Sequence, residues 1–548
     1  MESLRSLKME KLDLSGTAGR WRRAVYGAYK RTQHLPAAAT AAHFLYDRFY
    51  RLVQPEARPC RYRPPARERL PHAEPLGLGD MRIAVLCDEM TYRSLLPECN
   101  LRFVTPHNWL KVFEEFSPEL FFCEAAWSGI RQYPDVWRGK IYRSDSIRFE
   151  NRRDLLRILD YCREREIPTV FWNKEDPTYF GSRDYDFIDT ALRFDTVLTT
   201  AAECVPRYRA LGARRVGVLP FGFSPQIYHP LGSGEKENIA VFAGSWCADQ
   251  PERCADMERI FDELLGSGIK LCIYDRYCKT DNPVHIYPEK YRPYLHPAVD
   301  YRELGEIYRR ARYAININTA TGSQTMFARR VFEIMACNTL VISNESPGMR
   351  SLFPESVWYA GSRLPEEREE ACRLHNLQKV FLQHTFRGEL YGALHGIGLL
   401  PGETPPEVLL IYLSSSDGDR EAYARHFEGV DYPAKRAALW REGNLQPLPG
   451  LPFASPEKAG FFVPLVGGER MEGLPFLLSQ FSYLPADAGA RCGAPGFYCG
   501  KEQRLGTLFP GRLFKKVMDR PSEYWEKVLL VPAAKKNDIA KKNDIRKG

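Results

Sequence analysis

Asn316–Asn344 reads NINTATGSQTMFARRVFEIMACNTLVISN. It opens on the end of an apolar run (YAININ) and passes through a loop of Thr, Gly and Ser. It continues into a run with helical spacing (ARRVFEIMA) and closes on a second apolar run (TLVISN). Strand, loop, helix and strand in that order are one unit of a parallel α/β sheet. Ligands bind such sheets at the carboxyl ends of the strands. The expected helix spans Phe327–Cys337, with Ser323 or Thr325 as its cap. Its free N–H groups would face a pyrophosphate with partial positive charge. Arg329 and Arg330 would add charge-assisted donors, and Glu333 could accept from both ribose hydroxyls. On spacing alone, Arg330 and Glu333 could equally pair on the helix surface.

The same alternation extends in both directions. Upstream, NIAVFAGSW and IKLCIYD read as strands, separated by a helix near Asp256 to Leu265. Further back the pattern occurs a first time, with strands MRIAVLCDE, ELFFCEA, IPTVFWN, DTVLTT and VGVLPFG. Helices are expected around His107 to Phe116 and over Arg153 to Glu166. Short apolar runs ending in polar residues are how buried parallel strands read. Two doubly wound halves result, and HPLGSGEKEN (His229 to Asn238) reads as the hinge joining them. Both sets of strand ends are expected to face one cleft.

Composition limits the classes of function. The chain has 548 residues, 44% hydrophobic and 27% charged, so it is globular and of several domains. No apolar run reaches a membrane span, and MESLRSLKMEKLDLSG lacks the apolar core of a signal peptide. A cytoplasmic protein is expected. The 14 cysteines are scattered without a CxxC pair and read as reduced, buried thiols. The net charge of +8 sits in the termini. Residues 1–80 carry 15 Lys/Arg against 8 Asp/Glu, and residues 530–548 carry 6 against 2, so the body is slightly acidic. That excludes a basic nucleic-acid binder, and leaves the N-terminal segment as a potential contact with the anionic inner face of a membrane. Trp21 to Val53 reads as one or two helices. Gln54 to Pro75, with six prolines and five arginines, reads as an extended linker.

Neither GxGxxG nor a Walker sequence occurs, so dinucleotide and P-loop phosphate binding are not indicated. Cations near the expected strand ends of the second half are Arg253, Arg276 and Arg330. Gly244 and Ser245 follow its first strand, where backbone can approach a phosphate closely. Arg276 could equally be a salt-bridge residue, and Gly244 a turn residue. In the first half, carboxylates end strands at Asp88 with Glu89, at Glu124, and at Glu175 with Asp176. Glu124 and Asp176 are the preferred catalytic pair, to take a proton from an acceptor. Each could instead cap a loop. His107 is a further candidate.

Many of these stretches, in order, resemble the CgeB/YkvP spore-protein type of bacterial glycosyltransferase. They are MRIAVLCDEMTY, FFCEAAWSG, IPTVFWNKEDPTYF, FDTVLTTAAECVPRYRALGARRVGVLPFGFSPQIYHP, VFAGSW, IYDR, SQTMFARRVFEIMACNT and HTFRGELYGAL. The likeness covers about residues 81 to 395. It implies a GT-B fold of two Rossmann-like doubly wound domains and transfer from a nucleotide sugar, UDP- or GDP-linked, with no metal. It also implies that Glu333 stands for the second glutamate of the paired-glutamate motif of related retaining enzymes. The first glutamate would fall at Thr325, so this chain departs there, and donor orientation and stereochemical outcome stay open.

A third unit begins at PPEVLLIYLSSSDGDREAYARHFEGVDYP. With GFFVPLVGGERMEGLPFLLSQF it resembles a GT-A (family-two type) domain. The metal motif of that type should be a run of aspartates, but the position reads Val466, Gly467, Gly468, Glu469. One carboxylate cannot hold a divalent ion and a diphosphate together. A degenerate, noncatalytic remnant is expected. The domain boundaries read as 1–80 for a basic extension and linker, 81–228 for an acceptor domain and 229–399 for a nucleotide-sugar domain. They continue as 400–531 for the α/β GT-A-like remnant and 532–548 for a disordered basic tail. The leading reading is transfer to a surface glycan or protein. A noncatalytic sugar-binding protein and a GT-B-type epimerase are the alternatives.

Overall fold

The computed structural model describes residues 36–60, 77–413, 420–441, 444–455, 458–465, 474–484, 489–492, 498–500, 508–510, 513, 517 and 528–531. The Val466–Glu469 motif, the repeated tail and residues 1–35 lie outside them. The chain divides into two compact units. One holds the residues up to Pro220 and Leu390–Pro401. The other holds Phe221–Glu389 and the residues from Gly402 onward.

The first unit is built on a parallel six-stranded sheet. Its strands are β1 (Arg82–Leu86), β2 (Asn100–Phe103), β3 (Leu120–Glu124), β4 (Thr169–Asn173), β5 (Thr196–Thr199) and β6 (Arg215–Val218), in the order β2-β1-β3-β4-β5-β6. β1, β3, β4 and β5 are the expected apolar runs, buried along most of their length. β2 was not legible: its alternating burial belongs to an edge strand, and NLRF is short and half polar. The chain leaves β1 toward β2 on one side and reaches β3 on the other. The switch point between β1 and β3 is where open α/β sheets bind ligands.

The extension is partly integral to this unit. Helix Pro36–Val53 buries Ala39, His43, Tyr46 and Tyr50. Lys140 Nζ lies 3.1 Å from Asp47 Oδ1. Beyond it, Pro55–Ala57 forms a short 3-10 turn, and Glu56 accepts a 2.7 Å hydrogen bond from Thr105 Oγ1. The described part of the expected free linker is therefore docked. Among the described residues no helix is long and apolar enough to cross a membrane.

The second unit repeats the architecture with a different strand order. Its strands are β7 (Glu237–Ala243), β8 (Lys270–Asp275), β9 (Leu295–Pro297), β10 (Ala311–Asn316), β11 (Leu340–Ser343) and β12 (Trp358–Tyr359). They are parallel in the order β12-β11-β10-β7-β8-β9, with the switch point between β7 and β10. The segment read as a hinge is pinned within this unit. Tyr228 is buried, and Lys236 Nζ donates to Arg309 O at 2.7 Å and Thr339 Oγ1 at 3.2 Å. Arg309 O lies in the last turn of helix Tyr301–Arg310, and burial with the nearby Arg373 and Arg309 lowers the Lys236 pKa to about 7.

Residues beyond Gly402 add a mixed sheet. Its parallel centre is β14 (Lys435–Arg441), β13 (Val408–Leu413) and β16 (Phe461–Leu465). It is flanked by antiparallel β15 (Asn444–Pro447) and β19 (Phe509–Pro510). A second, three-stranded sheet is formed by β17 (Gly489–Cys492), β20 (Val528–Val531) and β18 (Tyr498–Gly500). The core of the larger sheet merges with that of the Rossmann-like half. Phe381, on helix Glu366–Gln383, meets the rings of Phe476 and Tyr483, and Tyr483 stacks on half-buried His229 at 4.8 Å.

Candidate functional site

At the carboxyl edge of the second sheet, β7 ends at Ala243 and the chain turns through Gly244 and Ser245. Gly244 N donates to Tyr274 O, and Gly244 O accepts from Tyr287 Oη at 2.9 Å. A Cβ on Gly244 would lie 2.4 Å from the ring of Phe242, which is wholly buried and has little room to move. Only glycine fits this close turn. Ser245 is 6% exposed, and its Oγ has no hydrogen-bond partner among the described residues. A buried orphan hydroxyl costs about 1–3 kcal/mol unless a ligand or water satisfies it.

Two arginines bond this turn, and a third follows the neighbouring strand. Arg253, in the first turn of helix Pro251–Gly266, donates to Ser245 O at 3.0 Å. Arg330 Nη2 donates to Ala243 O at 2.5 Å. Arg276 is exposed directly after β8, its guanidinium 5.3 Å from the centre of the Tyr277 ring. None of the three is in an ion pair with a carboxylate among the described residues. Asp275, at the end of β8, is buried and leaves Oδ2 without a partner among the described residues. Nothing in the sequence sets this buried acid apart from the exposed Arg276 beside it.

The loop and helix between Asn316 and Asn344 differ from expectation. The helix is Arg330–Ala336, with Arg329 at its N-cap position, not Phe327–Cys337. Ser323 is buried and caps no helix. Its Oγ accepts from Met326 N at 2.9 Å and from Thr325 N at 3.4 Å, closing a local turn. Asn318 Oδ1 takes the Ala328 amide at 3.0 Å, and Ser323 O takes that of Gly348. Buried asparagines at the strand ends thus hold residues 318–328 out of the helix. Asn318 itself is fixed by Asn316 and Asn344, the last of which also binds Asp256 Oδ2. Of the amides expected to line an anion pocket at Ser323–Thr325, that of Thr325 points to Ser323 Oγ, and none of the three belongs to a helix N-terminus. Glu333 is 6% exposed and pairs with Arg329, four residues away, at 3.2 Å, and not with Arg330. Burial raises its carboxyl, against the pull of Arg329 and Arg330.

The first sheet presents a different edge. Glu124, the last residue of β3, is fully buried. Its Oε1 accepts from Thr91 Oγ1 at 2.9 Å and Lys174 Nζ at 2.7 Å, and its Oε2 from Asp88 N at 2.7 Å. Asp88, just beyond β1, accepts from Lys174 Nζ at 3.0 Å and from the amides of Trp127, Ser128 and Gly129. Burial alone would raise the Asp88 carboxyl, but Lys174 and these three amides hold it below its ordinary value. Burial would lower Lys174, but Glu124 and Asp88 outweigh it and hold the ammonium on. Lys174 was missed in the sequence, although NKEDP places it between a strand end and two acids.

Asp176 is also fully buried. It accepts from Asn173 Nδ2 at 2.9 Å and Thr199 Oγ1 at 2.7 Å, and burial lifts its pKa to about 7. Neither Glu124 nor Asp176 stands open at the strand end as expected, because their neighbours close over both. Glu175 is the more open carboxylate of β4's end. Its Oε1 accepts from Trp127 Nε1 at 2.8 Å, and burial raises its pKa. His107 lies exposed in the turn before helix Trp109–Phe116. Among the described residues, no group of three or more His, Cys, Asp or Glu is placed to hold a metal ion.

Residues 259–382, which include β8 to β12 and helix Arg330–Ala336, match the model of a family described as glycosyl transferase-like. Similar solved structures include HepE of Anabaena in complex with UDP-glucose. It is 10% identical, covers 59% of this chain and 100% of that one, and has a TM-score of 0.38. The sucrose-phosphate synthase of Thermosynechococcus elongatus is 10% identical over 58% and 100%, with a TM-score of 0.36. An α-glucosyltransferase in complex with UDP-glucose and DNA containing an abasic site is 10% identical over 58% and 95%, at 0.33. No curated protein matches the chain.

Proposed function

We propose that the chain is a glycosyltransferase whose second unit binds a nucleoside-diphosphate sugar, UDP- or GDP-linked, at the β7–β10 switch point. The observation that carries this is the pair Arg253 and Arg330, bound to the turn that holds the orphan hydroxyl of Ser245 and without carboxylate partners among the described residues, with Arg276 exposed just beyond the neighbouring strand. Fixed cations at a half-buried edge cost free energy in the empty protein and are repaid by an anion. A diphosphate is the anion that a glycosyl transferase-like segment would bring there.

In the transfer, the bond from the anomeric carbon to the diphosphate oxygen breaks and the diphosphate leaves with the electron pair. A hydroxyl oxygen of the acceptor bonds to that carbon and gives up its proton. Charge grows on the diphosphate as it leaves, and guanidinium groups already in place stabilise it without reorganisation. We assign this to Arg330 and Arg253, with Arg276 as a more peripheral donor and no metal required. Glu333 orients Arg329 through their ion pair. In the first unit we assign Glu124 and Asp176 to shaping the acceptor edge. Glu175 is the carboxylate available to an acceptor hydroxyl.

The test measures binding of UDP and GDP by calorimetry, and release of either nucleotide from a panel of their sugars in EDTA. Binding of one nucleotide and release in EDTA are expected. Ser245→Ala should weaken nucleotide binding roughly fivefold to tenfold without lowering the melting temperature, since the hydroxyl has no protein partner to lose. A folded wild type that binds neither nucleotide would end the proposal. Binding without release, in the presence of glycan acceptors, would favour a noncatalytic binding protein. A changed donor sugar with no acceptor would favour an epimerase.

A further inference from the structure

The edge of the second sheet holds a buried acid, Asp275, that the transfer chemistry above does not use. It is 1% exposed, its Oδ1 accepts from Tyr277 N at 3.1 Å, and its Oδ2 has no partner among the described residues. β7 and β8 pair with Ala243 opposite Tyr274, so Asp275 stands beside Gly244, which has no side chain to offer. Side chains alternate along a strand, and Ile273 packs in one core with Phe242 and Tyr287. Asp275 therefore points to the same face, toward Tyr287. Burial and, after it, the charge of Asp275 raise the Tyr287 phenol, with Arg253 and Arg330 opposing them. Each of these three donors is turned to a backbone carbonyl of the neighbouring turn. Tyr287 Oη donates to Gly244 O at 2.9 Å, Arg253 to Ser245 O at 3.0 Å and Arg330 to Ala243 O at 2.5 Å.

We propose that Asp275 Oδ2 accepts a hydrogen bond from a hydroxyl of the donor, on one of the two sugar rings that flank its diphosphate, an assignment that rests on the donor site proposed above. A buried carboxylate oxygen with no partner is costly in the protein alone. What offsets that cost must carry an O–H or N–H. The diphosphate does not: its oxygens are ionised at neutral pH and are repelled by a carboxylate. In the donor site proposed, Arg253 and Arg330 hold the diphosphate at the turn through Gly244, and Asp275 lies one strand away. In a nucleotide sugar the groups bonded directly to the diphosphate are the ribose and the transferred sugar, and both bear hydroxyls. The base lies one ring further off. Glu333, expected to hold the ribose, is spent on Arg329, whereas Asp275 has an oxygen to give. Such a bond also discriminates strongly, because an analogue without the hydroxyl leaves a charge buried and unpaired.

The experiment is calorimetric titration of the full chain and of Asp275→Asn. The ligands are UDP and GDP, the 2′-deoxy and 3′-deoxy forms of whichever binds, and its glucose, galactose, mannose and N-acetylglucosamine conjugates. In Asp275→Asn the side-chain carbonyl still accepts from Tyr277 N, and the amide, a donor, stands where Oδ2 stood. Binding should weaken roughly tenfold to hundredfold. The melting temperature without ligand should stay level or rise, because a buried charge has been removed. With the hydroxyl on the ribose, the plain nucleotide shows the loss and one of its deoxy forms, already weaker in the wild type, does not. With the hydroxyl on the transferred sugar, the plain nucleotide binds both proteins alike and the loss is confined to a sugar conjugate. Unchanged affinity for every ligand in folded Asp275→Asn overturns the assignment and leaves the donor site standing. So does tighter binding of all of them by one factor, which would put the carboxylate against the diphosphate. Equal weakening of all ligands with a lower melting temperature would make Asp275 a structural residue, and overturns it too. A wild type that binds neither nucleotide ends the donor site itself, and the assignment of Asp275 with it.

Discussion

The two Rossmann-like sheets end in edges of opposite character. At the first, Asp88 and Glu124 converge on one cation, Lys174, and their oxygens are fully used. At the second, Arg253 and Arg330 donate to the backbone carbonyls of Ser245 and Ala243 and pair with no carboxylate, and Ser245 Oγ and Asp275 Oδ2 have no partner among the described residues. Both lie where parallel strands run out, so the fold does not explain the difference. The first edge resolves its charges within the protein. The second leaves its charge unresolved, which suits an anion. A site is better recognised by what the protein fails to satisfy than by how many polar residues it gathers.

The comparison can be broken most forcefully at Lys174. Lys174→Ala would leave Glu124 and Asp88 facing each other in a buried setting, and should destabilise the first unit by about 3–5 kcal/mol. A drop in melting temperature too small for that, followed by calorimetry, would mean the acidic edge is not self-satisfied. Next in size is Arg330→Ala. It should lower kcat/KM for nucleotide release roughly 100-fold while changing stability much less than Lys174→Ala. Equal effects of the two substitutions on stability would erase the contrast between the edges. Gly244→Ala should follow, at about 1–3 kcal/mol for displacing the Phe242 ring. It should also weaken nucleotide binding, read by the same calorimetric titration.

Smallest per step are the slopes against pH, and they have opposite signs in the two units. Asp176 has its folded pKa raised from 3.8 to about 7, so the folded state binds more protons in that window. Its contribution to stability falls as pH rises from about 4 to 7 and is flat above, by at most about 1.4 kcal/mol per pH unit. His229, under the Tyr483 ring, is lowered by burial from 6.5 to about 4. Its contribution is present above 6.5 and is lost as pH falls toward 4. Asp176→Asn and His229→Phe should each remove one slope, measured as melting temperature against pH. A wild type and variant with parallel curves would disprove the corresponding shift.

Much of the fold was legible because it is written in local periodicity. The runs IAVL, LFFCE, TVFWN and KLCIYD are apolar enough to be buried parallel strands whatever surrounds them. Arg253, Arg330, Gly244 and Ser245 could be placed at strand ends for the same reason, since a strand's direction fixes which residues it delivers to its carboxyl edge. The start of the 330–336 helix was not legible. Whether Thr325 to Arg329 coil into helix depends on Asn318 claiming the Ala328 amide, and on Asn344 holding Asn318 from another strand. Nor could sequence show that Glu124 is closed over by Lys174, fifty residues away, or that Glu333 chooses Arg329. The amino-acid order by itself determined two alternating α/β halves and the chemical kinds gathered at their edges. Tertiary packing decided which of those groups spend their charge on one another and which keep it for a ligand, because pairing depends on distances between strands that no local pattern encodes.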